Sequence, residues 1–272
     1  FDENYQIQPH FFVSRDDGKT GTELTGDGIS TIAIANSFGV LDDGSIAYTD
    51  YFNANLGLLD QNGSMVEQLE GETGKATPTL AASGSRIATI APEAKAIRVY
   101  DRADGTSENY EYAIAENSSV IMAFSADGAL YLCDATGIYR HTQDGTLWER
   151  IMDGGTCNLG LPSFYPGNMV IRAGSPDTIY LCDSSSVFRY WYDETAPAAA
   201  SEELNIFSLK ENETVQQAVV AFNRAQSEVL AIYTVAMGQD AGGTEQDYIK
   251  ALNTELLAGN GPDVLILDGL PI

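Results

Sequence analysis

Apolar and polar positions alternate in runs of four to six through the first two thirds of the chain, and Asp-Gly or Asn-Gly separates many of the runs, at Asp43-Gly44, Asn62-Gly63, Asp104-Gly105, Asp127-Gly128 and Asp144-Gly145. Period-two alternation predicts half-buried β-strands, and glycine after Asp or Asn supplies the positive φ that a tight hairpin turn requires. The runs themselves recur. Leu130-Tyr131-Leu132-Cys133-Asp134, with Arg140 and Asp144 behind it, matches Ile179-Tyr180-Leu181-Cys182-Asp183, Arg189 and Asp193 at a constant offset of 49. Asp43 to Asp50 matches Asp127 to Asp134 at an offset of 84, twice 42, and a weaker copy lies between them at Ser83 to Ile90 and Ile97 to Asp101. The Asp17-Gly18 turn after Phe11-Phe12-Val13 marks the tail of a preceding unit.

A period of about 40 to 49 residues carrying four short strands is that of a propeller blade. The expectation for residues 1–195 is therefore an all-β, propeller-like repeat domain of four or more blades. Leu130, Leu132, Ile179 and Leu181 are expected in its core, with Cys133 and Cys182 in equivalent strands. The pattern resembles the loosely defined propeller repeats of extracellular and bacterial-surface proteins. It lacks the Gly-His and Trp-Asp marks of the best-known propeller class, so the resemblance, over residues 25–195, implies architecture and no activity.

The period changes after a linker at 196–203, where Pro197 and a run of alanines carry no core pattern. Leu204 to Leu209 reads as a strand. Val215, Ala218, Val219 and Phe222 then fall at i, i+3, i+4 and i+7, one face of a helix, with Asn212 or Thr214 at its start. Val229 to Val235 is a β-branched strand. A second helix beginning near Thr244 or Glu245 places Ile249, Leu252 and Leu256 together and stops at Gly259, before the apolar strand Val264 to Leu267. Strand, helix, strand, helix, strand predicts a parallel α/β (βαβαβ) unit over 204–272.

Three stretches of this second part carry a resemblance: Leu204-Asn205-Ile206, Ala221-Phe222-Asn223, and above all Leu252-Asn253-Thr254-Glu255-Leu256-Leu257-Ala258-Gly259-Asn260-Gly261-Pro262-Asp263-Val264. They resemble the extracellular solute-binding proteins of ABC importers, of the type that binds sugars. The family's Asn-Pro after the first helix is replaced here by Gln226-Ser227. The resemblance implies a partial solute-binding lobe, a small-molecule solute of the sugar class, the membrane subunits of an ABC transporter as partners, and an extracellular, lipid-anchored place at a bacterial surface. Ligands of open α/β sheets sit beyond the carboxyl ends of the strands, which makes Lys210, Asn212, Gln239, Asp240 and Asp268 the candidate ligand-binding residues.

Charge narrows the partners further. Lys and Arg total 14 against 39 Asp and Glu, a net charge of −25, which repels nucleic acid and anionic membrane. Cys133, Cys157 and Cys182 are too few for a disulfide framework or zinc cluster, and they are expected as buried free thiols. His10 and His141 are the only histidines, and no G-x-S-x-G nucleophile, phosphate-loop lysine or closed acidic calcium loop accompanies them. Asp16-Asp17 and Asp42-Asp43 lie in turns, where Asp caps backbone groups. The expectation is accordingly no catalytic residue, metal or cofactor, and a chain that is not an enzyme. The alternative is an interaction module in which the propeller docks a protein or polysaccharide. The chain opens on Phe1 without a charged and then apolar leader, and is read as processed or excised.

Overall fold

The computed structural model describes residues 10–32, 34–50, 56–69, 79–91, 94–112, 120–160, 164–174, 177–192, 200–225, 228–237 and 242–270. The chain divides into two compact units. One holds the residues up to 134 with 138–151 and 166–191; the other holds 135–137, 152–165 and the residues from 192 on.

The first unit is a run of antiparallel sheets built from sequential hairpins. After a short pair, β1 (Phe12–Val13) and β2 (Thr22–Glu23), the first blade is β3 (Ala35–Val40), β4 (Ile46–Asp50), β5 (Leu56–Leu59) and β6 (Met65–Leu69). The second is β7 (Leu80–Ser83), β8 (Arg86–Ala91), β9 (Ala96–Asp101) and β10 (Thr106–Glu111). The third is β11 (Ile121–Phe124), β12 (Leu130–Asp134), β13 (Gly137–His141) and β14 (Glu149–Asp153). The fourth, β15 (Asn168–Arg172), β16 (Thr178–Cys182) and β17 (Val187–Tyr190), has three strands among the described residues, where four were expected. The first strands of successive blades neighbour one another in the order β3, β7, β11, β15, which is propeller geometry.

The repeat is visible in the packing. Leu130 and Leu132 of β12 are fully buried, and so is Leu181 of β16, with Ile179 nearly so. Cys133 pairs with Ile121 of β11 and Cys182 with Asn168 of β15, so both stand at the same place in the second strand of a blade. Cys133 and Cys157 are buried and Cys182 is half-buried, and all three are free thiols. Between the first two blades Leu41, Ala47, Leu56 and Leu58 pack with Leu80 and Ile87; between the next two Ala81, Ile97 and Val99 pack with Met122, Leu130 and Leu132. At Gly39 of β3 a side chain has no room, because a Cβ there would lie 2.6 Å from the Cβ of Ala82 in β7.

Several of the acidic residues serve the turns. Asp43 Oδ1 accepts from Ser45 N at 2.8 Å, Asp60 Oδ1 from Asn62 N and Ser64 N, and Asp104 Oδ1 from Thr106 N. In Asp16 the carboxylate accepts from Thr20 N and Thr20 Oγ1, and in Asp183 from Ser185 N and Ser186 N. Donated N–H groups stabilise the ionised form. The carboxyls of Asp16, Asp43, Asp60 and Asp183 are therefore held below the usual carboxylate range, backbone hydrogen bonds being the largest cause.

The second unit contains β18 (Glu202–Ser208), α1 (Glu213–Ala225), β19 (Val229–Val235), α2 (Glu245–Ala258) and β20 (Val264–Ile266). Its sheet is parallel, in the order β19-β18-β20, with Ile206 opposite both Tyr233 and Val264. The βαβαβ reading thus holds for the described residues, while nothing in the sheet itself marks it as an importer's lobe. The helix faces need correction. Val219 and Val220 are the buried residues of α1, and Ala218 and Phe222 face solvent; in α2 Ile249 and Leu252 are buried while Leu256 is 45% exposed. Short helices lying against a three-stranded sheet bury a narrower stripe than a fully enclosed helix does. Thr244 and Asp247 form a reciprocal capping box on α2, and Gly259, at φ 79°, closes it.

Candidate functional site

In a parallel sheet of order 2-1-3 the crevice lies between the first and third strands, beyond their carboxyl ends, because the crossovers leave in opposite directions there. In this sheet the place is between β18 and β20, where the loops 209–212 and 267–270 come together. Gly269 is the close point: a Cβ on it would stand 3.8 Å from Lys210 Cδ and 4.0 Å from a Leu209 methyl. Leu209 is fully buried and anchors the loop, and Leu270 N donates to Leu267 O to form the second turn.

Of the five residues singled out from sequence, three lie among the described residues. Lys210 is exposed and its Nζ lies 3.1 Å from Glu245 Oε2 at the first turn of α2. Asn212 serves α1, its Oδ1 accepting from Val215 N at 3.2 Å, as an N-cap does. Asp268 is exposed in the turn after β20. The structure brings Lys210 and the Asp268-Gly269 turn together and gives Asn212 a helix-capping task. Gln239 and Asp240 lie outside the described residues.

A polar network under this crevice escaped the sequence reading. Ser208, buried at the end of β18, shares a 2.6 Å hydrogen bond with Tyr233 Oη and also donates from Oγ to Lys210 O at 2.6 Å. Asn212 N donates to Tyr233 Oη at 3.2 Å. Tyr233 thus ties β19 to the loop that follows β18. A tyrosine inside a β-branched run reads as a core residue, so only its partners reveal this role. The sequence singled out Asn223 only within a resemblance; its Oδ1 accepts from Ala231 N at 2.8 Å and its Nδ2 donates to Ala231 O at 2.9 Å, which pins the end of α1 to β19. Asp263 accepts from Asn205 N at 2.8 Å, satisfying the donor one residue before the β18–β20 ladder begins at Ile206. A groove of about 650 Å³ also runs along α2, lined by Asn205, Phe207, Thr234, Tyr248, Glu255 and Asn260 among others.

The propeller unit concentrates its unusual titrating groups where blades meet. Tyr131 Oη donates to Asp177 Oδ2 at 3.0 Å, and burial, followed by that carboxylate, pushes its phenol up to about 12. His141 is buried, stacked on Tyr110 with centroids 3.8 Å apart and edge-on to Trp148, and burial pulls its imidazole down. Arg86 reaches across to the same joint, donating to Tyr110 Oη and Gly128 O. These groups hold neighbouring sheets together.

No protein-family model and no curated protein matches the chain. Among solved structures it is similar to a virginiamycin B lyase from Staphylococcus aureus, at 15% identity over 63% of this chain and 59% of that one, TM-score 0.42. It is similar to a streptogramin B lyase, at 17% identity over 65% and 60%, TM-score 0.41. A third likeness, TM-score 0.47, is to the extracellular domain of a B. thetaiotaomicron protein assigned to the one-component systems, at 15% identity over 70% of this chain and 26% of that one. The chain thus spans about three fifths of each lyase and a quarter of the third protein. Two of these proteins are enzymes by name, and the expectation that the chain is not an enzyme, which rested on missing sequence motifs alone, is withdrawn. The likenesses concern the β-propeller fold, which the strand order already defines, and they lend nothing to an importer's solute-binding domain.

Proposed function

We propose that the chain belongs to an extracellular receptor for a small polar solute, with sugars as the first class to test, and that the α/β unit supplies one wall of its binding site. The observation that carries this reading is the meeting of the 209–212 and 267–270 loops at the β18–β20 switch point, with Lys210, Asp268 and backbone groups presented there. The sequence resemblance of 204–272 supports an ABC importer as the system, its membrane subunits as partners and a lipid-anchored position at the cell surface. The propeller, over 1–195, is then an accessory module, and the linker expected at 196–203 ends earlier, because β18 already begins at Glu202.

One wall buries a solute on one side only, and most of the affinity of such sites comes from enclosure on both. Calorimetry of this chain against neutral mono- and oligosaccharides is expected to give dissociation constants no tighter than about millimolar, near −4 kcal/mol. Asp268→Ala and Lys210→Ala are expected to abolish that binding. Micromolar binding indifferent to both substitutions would place the site elsewhere and end this reading.

A further inference from the structure

The two ends of the blade series are unlike each other. At the start, the outward side of β4 and β5 is covered, since Ile46, Tyr48 and Leu59 pack under Leu24, Ile29 and Ile32 of the leading segment. The first strand of that blade is not covered: Phe38 is 64% and Val40 60% exposed, with Phe11 touching Phe38 edge-on. Next to Phe11, Glu23 pairs across the β1–β2 hairpin with Phe12, and its half-exposed carboxylate is shared with His10 Nδ1.

At the far end the register separates two faces of the fourth blade. Met169, Leu181 and Phe188 stand opposite one another on the face turned to the third blade. Val170, Tyr180 and Arg189 line the other face, with Val187 and Trp191 on the same side, and Val170 (53%), Val187 (67%) and Trp191 (59%) are exposed. Arg189 lies over the Trp191 ring at 4.6 Å, and Arg172 shares the face. Among Asn168, Val170, Arg172, Thr178, Tyr180, Cys182, Val187, Arg189 and Trp191 there are two arginines and no carboxylate, in a chain of net charge −25. Trp, Tyr and Arg on an apolar ground are the composition of an interaction hot spot.

We infer that the open face of β15–β17 docks a second copy of this chain, taking the exposed β3 face of that copy in the way each blade takes the next. Inside the unit the contact runs first strand to first strand, β3 on β7 and β11 on β15. The same rule sets β15 of one copy beside β3 of another, Val170 against Phe38 and Val40, with the arginine face toward the carboxylates of an acidic partner. Different surfaces meet, so the contact is heterologous and closes into a ring only if its rotation permits.

Sedimentation equilibrium of the full chain is expected to show a mass that rises with concentration in the micromolar range, and association that weakens as salt is raised. Phe38→Glu and Val170→Glu alter exposed residues and are expected to leave thermal unfolding unchanged while each yields a monomer. Mixing the two variants is expected to restore a one-to-one dimer, since each keeps one intact end. A wild-type monomer at every concentration would overturn the inference. Association that survives both substitutions, or a mixture that stays monomeric beside an associating wild type, would overturn it equally.

Discussion

Tyr131 shows how one residue can hold two blades. It stands on β12, is nearly fully buried, and donates a hydrogen bond to Asp177, which precedes the second strand of the next blade. Burial, and after it the carboxylate of Asp177 3.0 Å away, which would face a second negative oxygen if the phenol ionised, raises its value to about 12. A raised value means that the folded state keeps its proton longer than the unfolded chain. The stabilisation is complete below an unfolded value of about 10 and is lost as pH rises from there through about 12. Tyr131→Phe is expected to flatten the alkaline fall in melting temperature over that window and to remove one late step from the tyrosinate absorbance titration. A variant that keeps both the fall and the late step would show that the Tyr131–Asp177 contact is not what sets them.

At the scale of elements, the close approach of β3 to β7 is the most demanding contact between blades. Gly39 leaves no space for a Cβ beside Ala82, so Gly39→Val should push two strands apart and cost about 1–3 kcal/mol, read as a lower denaturation midpoint at unchanged slope. Wild-type stability in that variant would mean that the two strands are free to separate. The hairpins around this contact were legible because Asp-Gly turns and period-two alternation are local signals. Cys133 and Cys182 fell where the 49-residue offset put them. The helix faces were only half legible: which side of α1 is buried depends on what lies against it, and Val220 took the place expected of Phe222. The fourth blade shows three strands among the described residues, and residues 193–199, which follow Tyr192, lie outside them.

For the whole molecule, charge is the dominant fact. A net charge of −25 repels itself, and many carboxylates are fixed in turns where backbone donors keep them ionised. Shortening the Debye length from about 30 Å to about 3 Å by adding salt is expected to raise the melting temperature at neutral pH. A melting temperature that falls over that range would show that specific ion pairs such as Arg102–Asp43 and Arg140–Asp127 outweigh the general repulsion. Acid acts through the same turns. The Asp values are depressed, so their stabilisation is present above the unfolded carboxyl value and lost as pH falls through the lower folded values.

The candidate site was legible in place and only partly in its members. The strand-end rule found the loop of Lys210 and the turn of Asp268, but Asn212 turned out to cap α1, and Ser208 and Tyr233 carry a network that no spacing announced. The central claim is that a polar ligand is held where those loops meet. Amide NMR of the isotopically labelled chain, titrated with the sugar that binds best, tests it directly. The account predicts shift changes concentrated at residues 209–212 and 267–270 with Tyr233, and a quiet propeller. Changes confined to the propeller residues, or absent from these two loops at saturation, would contradict it.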